Sequence, residues 1–157
     1  MNDAERLRDE LVELMQNYSV ETRQIVDAFA QRHHLHTTDL QALLAVMGAE
    51  GRGEPLTPGR LGEAIGLSSG ATTAVIDRLA KAGHLRRTRE SADRRVVHLR
   101  YGEPGFALAS EFFRPIGRRS RAVMDDFSPA ELDVVRRFLH GMNEALAAHH
   151  REVRARP

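Results

Sequence analysis

The sequence predicts a mainly α-helical chain carrying one small β-wing, with a core of helix, turn, helix and hairpin set between long helices at both ends. Three observations carry that prediction. Apolar residues recur at spacings of three, four and seven near both ends of the chain. Two short helix signals follow each other closely in "TPGRLGEAIGLSSGATTAVIDRLAKAG". Directly after them, two strand-like runs flank the tip of "RRTRESADRRVVHLR" (86–100), a stretch with six arginines in fifteen residues.

Leu7, Leu11, Leu14, Tyr18, Ile25 and Phe29 mark one face of a first helix over roughly residues 3–32. A Thr38–Gln41 capping box is expected to open a second helix carrying Leu40, Leu43, Leu44 and Met47, which stops before "GAEGRGEP". The third helix is short: Thr57 caps it, Pro58 takes the first helical position and Gly66 ends it. The fourth starts after a cap at Ser68 or Ser69 and ends at Gly83, with Thr72, Val75, Ile76 and Leu79 inward.

Strands are expected over residues 85–89 and 96–100, around the tip "ESADRR". After "YGEPG" helix returns through Phe106, Ala109, Phe112, Phe113, Ile116, Val123 and Phe127. "SPAE" then starts the last helix, with Ser128 as cap, Pro129 first and Glu131 closing the box. Its seam is Leu132, Val135, Leu139, Met142, Leu146, His149 and Val153. Two long amphipathic helices have more apolar stripe than a small central domain can cover. They are expected to interlock with a second copy, a two-fold dimer being the commonest symmetric oligomer.

Composition narrows the function. With 41% hydrophobic and 29% charged residues, the chain is a globular one of one domain or two small interlocked subdomains. There is no cysteine, which excludes disulfides, thiolate metal sites and thiol redox switching. No apolar run approaches the roughly 20 residues of a membrane helix. The acidic, amphipathic "MNDAERLRDELVELM" is not a signal peptide, so the cytoplasm is the expected setting. Catalysis is not expected: there is no Gly-rich phosphate loop with lysine and no clustered nucleophile, histidine and carboxylate. No cofactor is implied. His33, His34 and His36 cluster near the first interhelical turn and His149–His150 near the C-terminus. No acidic partner has helical metal spacing to them, so no metal site is expected.

Net charge is only +1, but its distribution is uneven. Residues 1–60 hold six basic and ten acidic side chains, net −4. Residues 61–100 hold eight and four, net +4, and residues 101–157 hold nine and eight, net +1. A local basic patch on a nearly neutral chain is the electrostatic footprint of a nucleic-acid face, although a solvated surface can look the same.

Two short helices joined by a tight turn and followed by a two-stranded hairpin describe a winged helix-turn-helix, whose second helix enters the major groove by its N-terminal end. With the apolar residues inward, the outward face of the fourth helix is Ser69, Gly70, Thr73, Ala74 and Asp77, preceded by Ser68. Its first residues are small enough for the helix N–H groups to approach a phosphate. Thr73 can bond a base edge, and Ala74 or the Thr73 methyl can touch a thymine methyl. A wing beside such a helix lies over the minor groove, where Arg94 and Arg95 fit, with Asp93 able to orient an arginine. Arg86, Arg87, Arg89 and Arg100 flank the tip, on alternating strand faces.

The run "LGEAIGLSSGATTAVIDRLAKAGHLRRTRESADRRVVHLR" resembles the winged-helix core of the MarR family of bacterial transcription regulators. The shared features are Leu67–Ser68 at the start of the recognition helix, Asp77-Arg78-Leu79 late in it, Gly83-His84-Leu85 entering the wing, and Asp93-Arg94-Arg95 at its tip. The flanking helices match in order, so the resemblance covers essentially the whole chain. It implies that residues 36–102 form the DNA-binding region and that 1–35 and 103–157 are dimerisation helices. It also implies that Arg95 is the minor-groove arginine and Asp93 its brace. Ala74, where the family often has arginine, and Gly70 depart from the pattern, which shifts weight towards shape and phosphate readout.

Family members are homodimers, and many release DNA when a small aromatic molecule binds between the dimerisation helices and the winged helix. The residues placed to line that cleft here are Phe29, Met47, Phe112 and Phe113, each of which would also serve as plain core. The expected function is a repressor of a pseudo-palindromic operator on double-stranded DNA, acting away from membranes. The competing reading is an architectural DNA-binding protein without ligand response, which would barely prefer an operator over random DNA.

Overall fold

The computed structural model describes residues 2–89 and 96–155. In chain order the elements are α1 (Asp3–Arg32), α2 (Thr37–Gly51), α3 (Pro58–Ile65), α4 (Ser69–Lys81), β1 (Leu85–Thr88), β2 (His98–Tyr101), α5 (Glu103–Met124) and α6 (Pro129–Ala155). Residues 1–112 form one compact unit and residues 113–157 a second, so α5 begins in the first and ends in the second.

Local chemistry sets most of the helix ends in the first unit. Thr57 Oγ1 accepts the Arg60 N–H, Pro58 opens α3, and Gly66 closes it at φ 70°. Of the two candidate caps for α4, Ser68 takes the position, accepting the Ala71 N–H at 3.4 Å. Gly83, at φ 75°, follows the helix in the left-handed region expected of it. The α1 N-terminus carries a reciprocal Asn2–Glu5 box with both bonds at 2.8 Å, a start signal beyond the expected ones. The expected Thr38–Gln41 box is wrong. The α2 cap is His36 without a side-chain bond, and the preceding hydroxyl, Thr37, instead donates to Asp27 Oδ1 on α1 at 2.9 Å.

The core of the first unit is built around α2. Leu40, Ala42, Leu43 and Val46 are fully buried there, with Leu61 from α3, Ile76 and Leu79 from α4, and Leu85 and Leu99 from the two strands. Helices α3 and α4 approach closely because residue 62 is glycine: a Cβ there would lie 2.6 Å from Thr72 Oγ1.

The strands pair antiparallel, from Leu85↔Tyr101 to Thr88↔His98. β1 ends one residue short of expectation and β2 is shifted towards the root of the hairpin, leaving Arg89, Val96 and Val97 outside the ladder. The cause is burial and bonding at the root. Leu99 is fully buried and its N–H donates to the Leu56 carbonyl at 2.8 Å, while the Tyr101 N–H donates to Glu50 Oε2. The chain leaves β2 tightly: the Gly102 N–H donates to the His84 carbonyl at 2.8 Å. A Cβ on Gly102 would overlap the Gly83 carbonyl oxygen, and one on Gly105 that of His84.

Helix α5 ends at Met124, short of the expected Phe127. Asp125 and Asp126 would sit at its C-terminal end, where the helix dipole disfavours negative charge. The chain turns there instead and restarts at the predicted Ser128–Glu131 box. The Ser128 N–H and hydroxyl donate to Glu131 Oε2 at 2.8 and 2.6 Å, and the Glu131 N–H returns a bond to Ser128 Oγ.

The Ser128 hydroxyl, followed by its N–H, holds the Glu131 carboxyl below its ordinary pKa. A lowered folded value means that the box stabilises α6 fully above the ordinary glutamate range and loses that contribution as pH falls through the lowered value. Carboxyl NMR should show Glu131 titrating below the ordinary glutamate value, and Ser128→Ala should move its midpoint upward. An unmoved midpoint would contradict this assignment.

Candidate nucleic-acid interface

The outward face of α4 is as the apolar periodicity requires. Thr72, Val75, Ile76 and Leu79 are buried, while Ser68, Ser69, Gly70, Thr73, Ala74 and Asp77 are exposed. Two threonine hydroxyls near the start of α4 bond back along the helix: Thr72 Oγ1 donates to the Ser68 carbonyl at 2.8 Å and Thr73 Oγ1 to the Ser69 carbonyl at 2.9 Å.

An ion pair that the sequence did not reveal ties this helix to α2. Asp39, on α2, is only 4% exposed and accepts two bonds from Arg78, Nε at 3.0 Å and Nη2 at 2.6 Å. The hydrogen bond, with the charge of Asp39 adding to it, raises the Arg78 pKa further above its already high value. The partners lie 39 residues apart, so no local spacing could have signalled the pair. The available hint was an acidic residue beside the apolar run of α2.

The wing arginines are not equivalent. Strand alternation puts Leu85, Arg87, Leu99 and Tyr101 on one face, and Arg86, Thr88, His98 and Arg100 on the other. Arg87 reaches Asp77 of α4 at 2.6 Å, which ties the wing to that helix. Arg100 pairs with Glu50 at 3.2 Å and is largely covered. Arg86 and Arg89 are exposed and make no ion pair among the described residues. Asp93, Arg94 and Arg95, the expected tip contacts, lie outside the described residues.

The four residues expected to line an effector cleft fall in different surroundings. Phe29 and Phe112 meet edge to face, with centroids 5.0 Å apart, and Phe29 also lies 4.2 Å from the His33 ring. His33 Nε2 is 3.4 Å from Glu111 Oε1. Met47 is half-buried against the core of the first unit. Phe113 belongs to the second unit and is 42% exposed. A separate groove of about 540 Å³ on α5 is lined by Arg114, Gly117, Arg118, Arg121, Ala122 and Asp125, and includes none of the four. Among the described residues, no three histidine or carboxylate side chains group to hold a metal ion. No helix there is long and apolar enough to cross a membrane.

Known proteins give the same fold and the same class of function. The model of the MarR family matches residues 35–96, the stretch from the start of α2 into the wing. The uncharacterized HTH-type transcriptional regulator YcgE of Bacillus subtilis (strain 168) is 30% identical over 138 residues, spanning 88% of this chain and 87% of that protein. The HTH-type transcriptional regulator PecS of Dickeya dadantii (strain 3937) is 29% identical over 97 residues, 62% of this chain and 58% of its own. The solved structure of a MarR family protein from Bacillus stearothermophilus is 26% identical and superposes with a TM-score of 0.65, covering 94% of this chain and 99% of that one. The matched family and both relatives are transcription regulators, not enzymes. Two short helices, a wing rooted on Leu99 and a relative matched over most of both chains lead to one assignment: the chain belongs to the MarR family of DNA-binding transcriptional regulators.

Proposed function

We propose that this regulator is a homodimeric, sequence-specific repressor in the cytoplasm, released from a pseudo-palindromic operator by a small aromatic molecule. The observation that carries the operator reading is the exposed, small-residue start of α4, tied to the wing through Asp77 and Arg87. Major-groove entry by Ser68, Ser69, Gly70, Thr73 and Ala74 leaves the wing over the adjacent minor groove, with Arg86 on phosphate. By the family resemblance, Arg95 enters that groove with Asp93 as its brace, and Arg94 beside it suits the same groove.

Residues 36–102 are then the DNA-binding region, and 1–35 with 103–157 are dimerisation helices. Exposed apolar side chains support a second copy. On α1 these are Leu7, Leu14, Ile25 and Tyr18, the last 76% exposed; on α6 they are Val135, Leu139, Leu146 and Val153. Apolar stripes this long on a water-facing surface mark an interaction site. The effector reading rests on the Phe29–Phe112 pair, which an aromatic ring of similar size can displace or stack upon.

The test is to select bound fragments from the source genome and compare the best site with scrambled DNA. We expect a preference of about a thousandfold or more. Light scattering should give a particle of about 35 kDa, twice the 17.6 kDa chain. Equal affinity for random DNA would make the protein an architectural binder, and a monomer that binds tightly would remove the dimer.

A further inference from the structure

Most outward side chains of α4 leave the choice of base open, but one does not. Ser69 is exposed and its hydroxyl makes no hydrogen bond among the described residues, so it is a free rotor able to donate or accept. Gly70 and Ala74 carry no polar side-chain atom. Asp77 only accepts, and Arg87 already holds it at 2.6 Å. Thr73 differs. Its hydroxyl donates to the Ser69 carbonyl at 2.9 Å, the same bond that Thr72, one residue earlier on the buried side, makes to Ser68 at 2.8 Å.

A hydroxyl has a single proton. With that proton directed into the helix backbone, Thr73 presents oxygen lone pairs and a methyl group to whatever lies against α4. The major-groove edges of the bases respond differently to such a group. Adenine offers its N6 amino group and cytosine its N4 amino group, both donors, and thymine offers its methyl. Guanine offers only acceptors, N7 and O6. Against guanine, acceptor would face acceptor unless Thr73 gave up its bond to Ser69. No arginine, lysine, asparagine or glutamine on the outward positions 69, 70, 73, 74 and 77 can supply the missing donor.

We infer that Thr73 is a specificity-determining residue that reads its base as an acceptor, favouring an amino-bearing base, adenine or cytosine, and rejecting guanine. The inference rests on the major-groove placement of α4 proposed above and adds to it the identity of the disfavoured base. Ser69, as a free rotor, should tolerate guanine at its own position, so the rejection is local to Thr73.

The experiment is binding selection with the full-length protein on an operator library randomised across one half-site. Wild type, Thr73→Ser and Thr73→Val are run in parallel, each checked for native helicity by circular dichroism. The wild type should deplete guanine about tenfold or more, relative to adenine and cytosine, at one position per half-site. Thr73→Ser keeps the oxygen and should keep that depletion. Thr73→Val keeps the shape but loses the oxygen, and should bring guanine and the amino-bearing bases to within about threefold of one another. An enriched half-site that is identical in all three proteins, or guanine preferred at the position the substitutions alter, would overturn the role of Thr73 and leave the operator reading standing. A wild type that enriches no half-site would overturn both.

Discussion

Replacing Arg78 with alanine should destabilise the whole helix-turn-helix core, although the residue is 47% exposed and lies on α4, the helix proposed to enter the major groove. The cost arises at its partner. Asp39 is buried among α2 residues that are themselves fully covered, and both of its oxygens accept bonds from the Arg78 guanidinium. Without Arg78, a desolvated carboxylate is left with no charge to face.

Stranding one member of a fully buried pair is strongly destabilising, but solvent already reaches and screens the half-exposed Arg78, so the expected loss is a clear yet smaller drop in stability. Arg78→Lys should recover only part of it, because an ammonium cannot make the two-pronged contact. Asp39→Asn should cost less than Arg78→Ala, since the guanidinium can turn to water. Urea unfolding reads the result as a lower midpoint with unchanged slope. A midpoint within error of the wild type would show that the pair contributes nothing to stability. Because the pair links α4 to α2, Arg78→Ala should also weaken operator binding, with no preference for any one base position.

The residues that could be read from sequence are those whose neighbours settle their conformation. Thr57, Pro58 and Gly66 act within one short helix, and Ser68 and Gly83 bracket the next, so α3 and α4 have their expected limits. The outward face of α4 was legible for the same reason, since the 3-and-4 spacing of Thr72, Val75, Ile76 and Leu79 leaves only one other face. Thr38 and Gln41 show the limit of local reading: their spacing satisfies a capping box, but the start of α2 answers to a hydroxyl bond from Thr37 to α1. The strand limits likewise depend on Leu56 and Glu50, which are far away in sequence. Strand alternation sorts the flanking arginines by face but not by partner. Nothing near Arg87 or Arg100 announces that Asp77 and Glu50 engage them, so among the described residues the flanking arginines separate into those held in ion pairs and those, Arg86 and Arg89, that are not.

That separation has a measurable consequence. Operator affinity should fall steeply and linearly in log salt, with slope about −0.9 for each phosphate neutralised, and Arg86 should carry more of that slope than Arg100. If the dimer closes six to ten phosphate contacts, raising salt from about 50 to 200 mM should cost about a thousandfold to a hundred-thousandfold in affinity. Arg86 is exposed and has no ion-pair partner among the described residues, so its charge is available to DNA. Arg100 sits opposite it in the register, but its side chain is 23% exposed and Glu50 lies 3.2 Å from it. Removing Arg86 from both wings should reduce the slope by about two units if each contacts one phosphate, and should weaken operator and random DNA alike. Removing Arg100 should leave the slope nearly unchanged and instead lower the stability of the wing root, where Glu50 also accepts the Tyr101 N–H. Titrations at four or five salt concentrations for each variant decide the matter. Equal loss of slope for Arg86→Ala and Arg100→Ala would mean that the Glu50 pair opens on DNA and the wing offers both arginines. No loss for either would move the phosphate contacts to the tip, at Arg94 and Arg95.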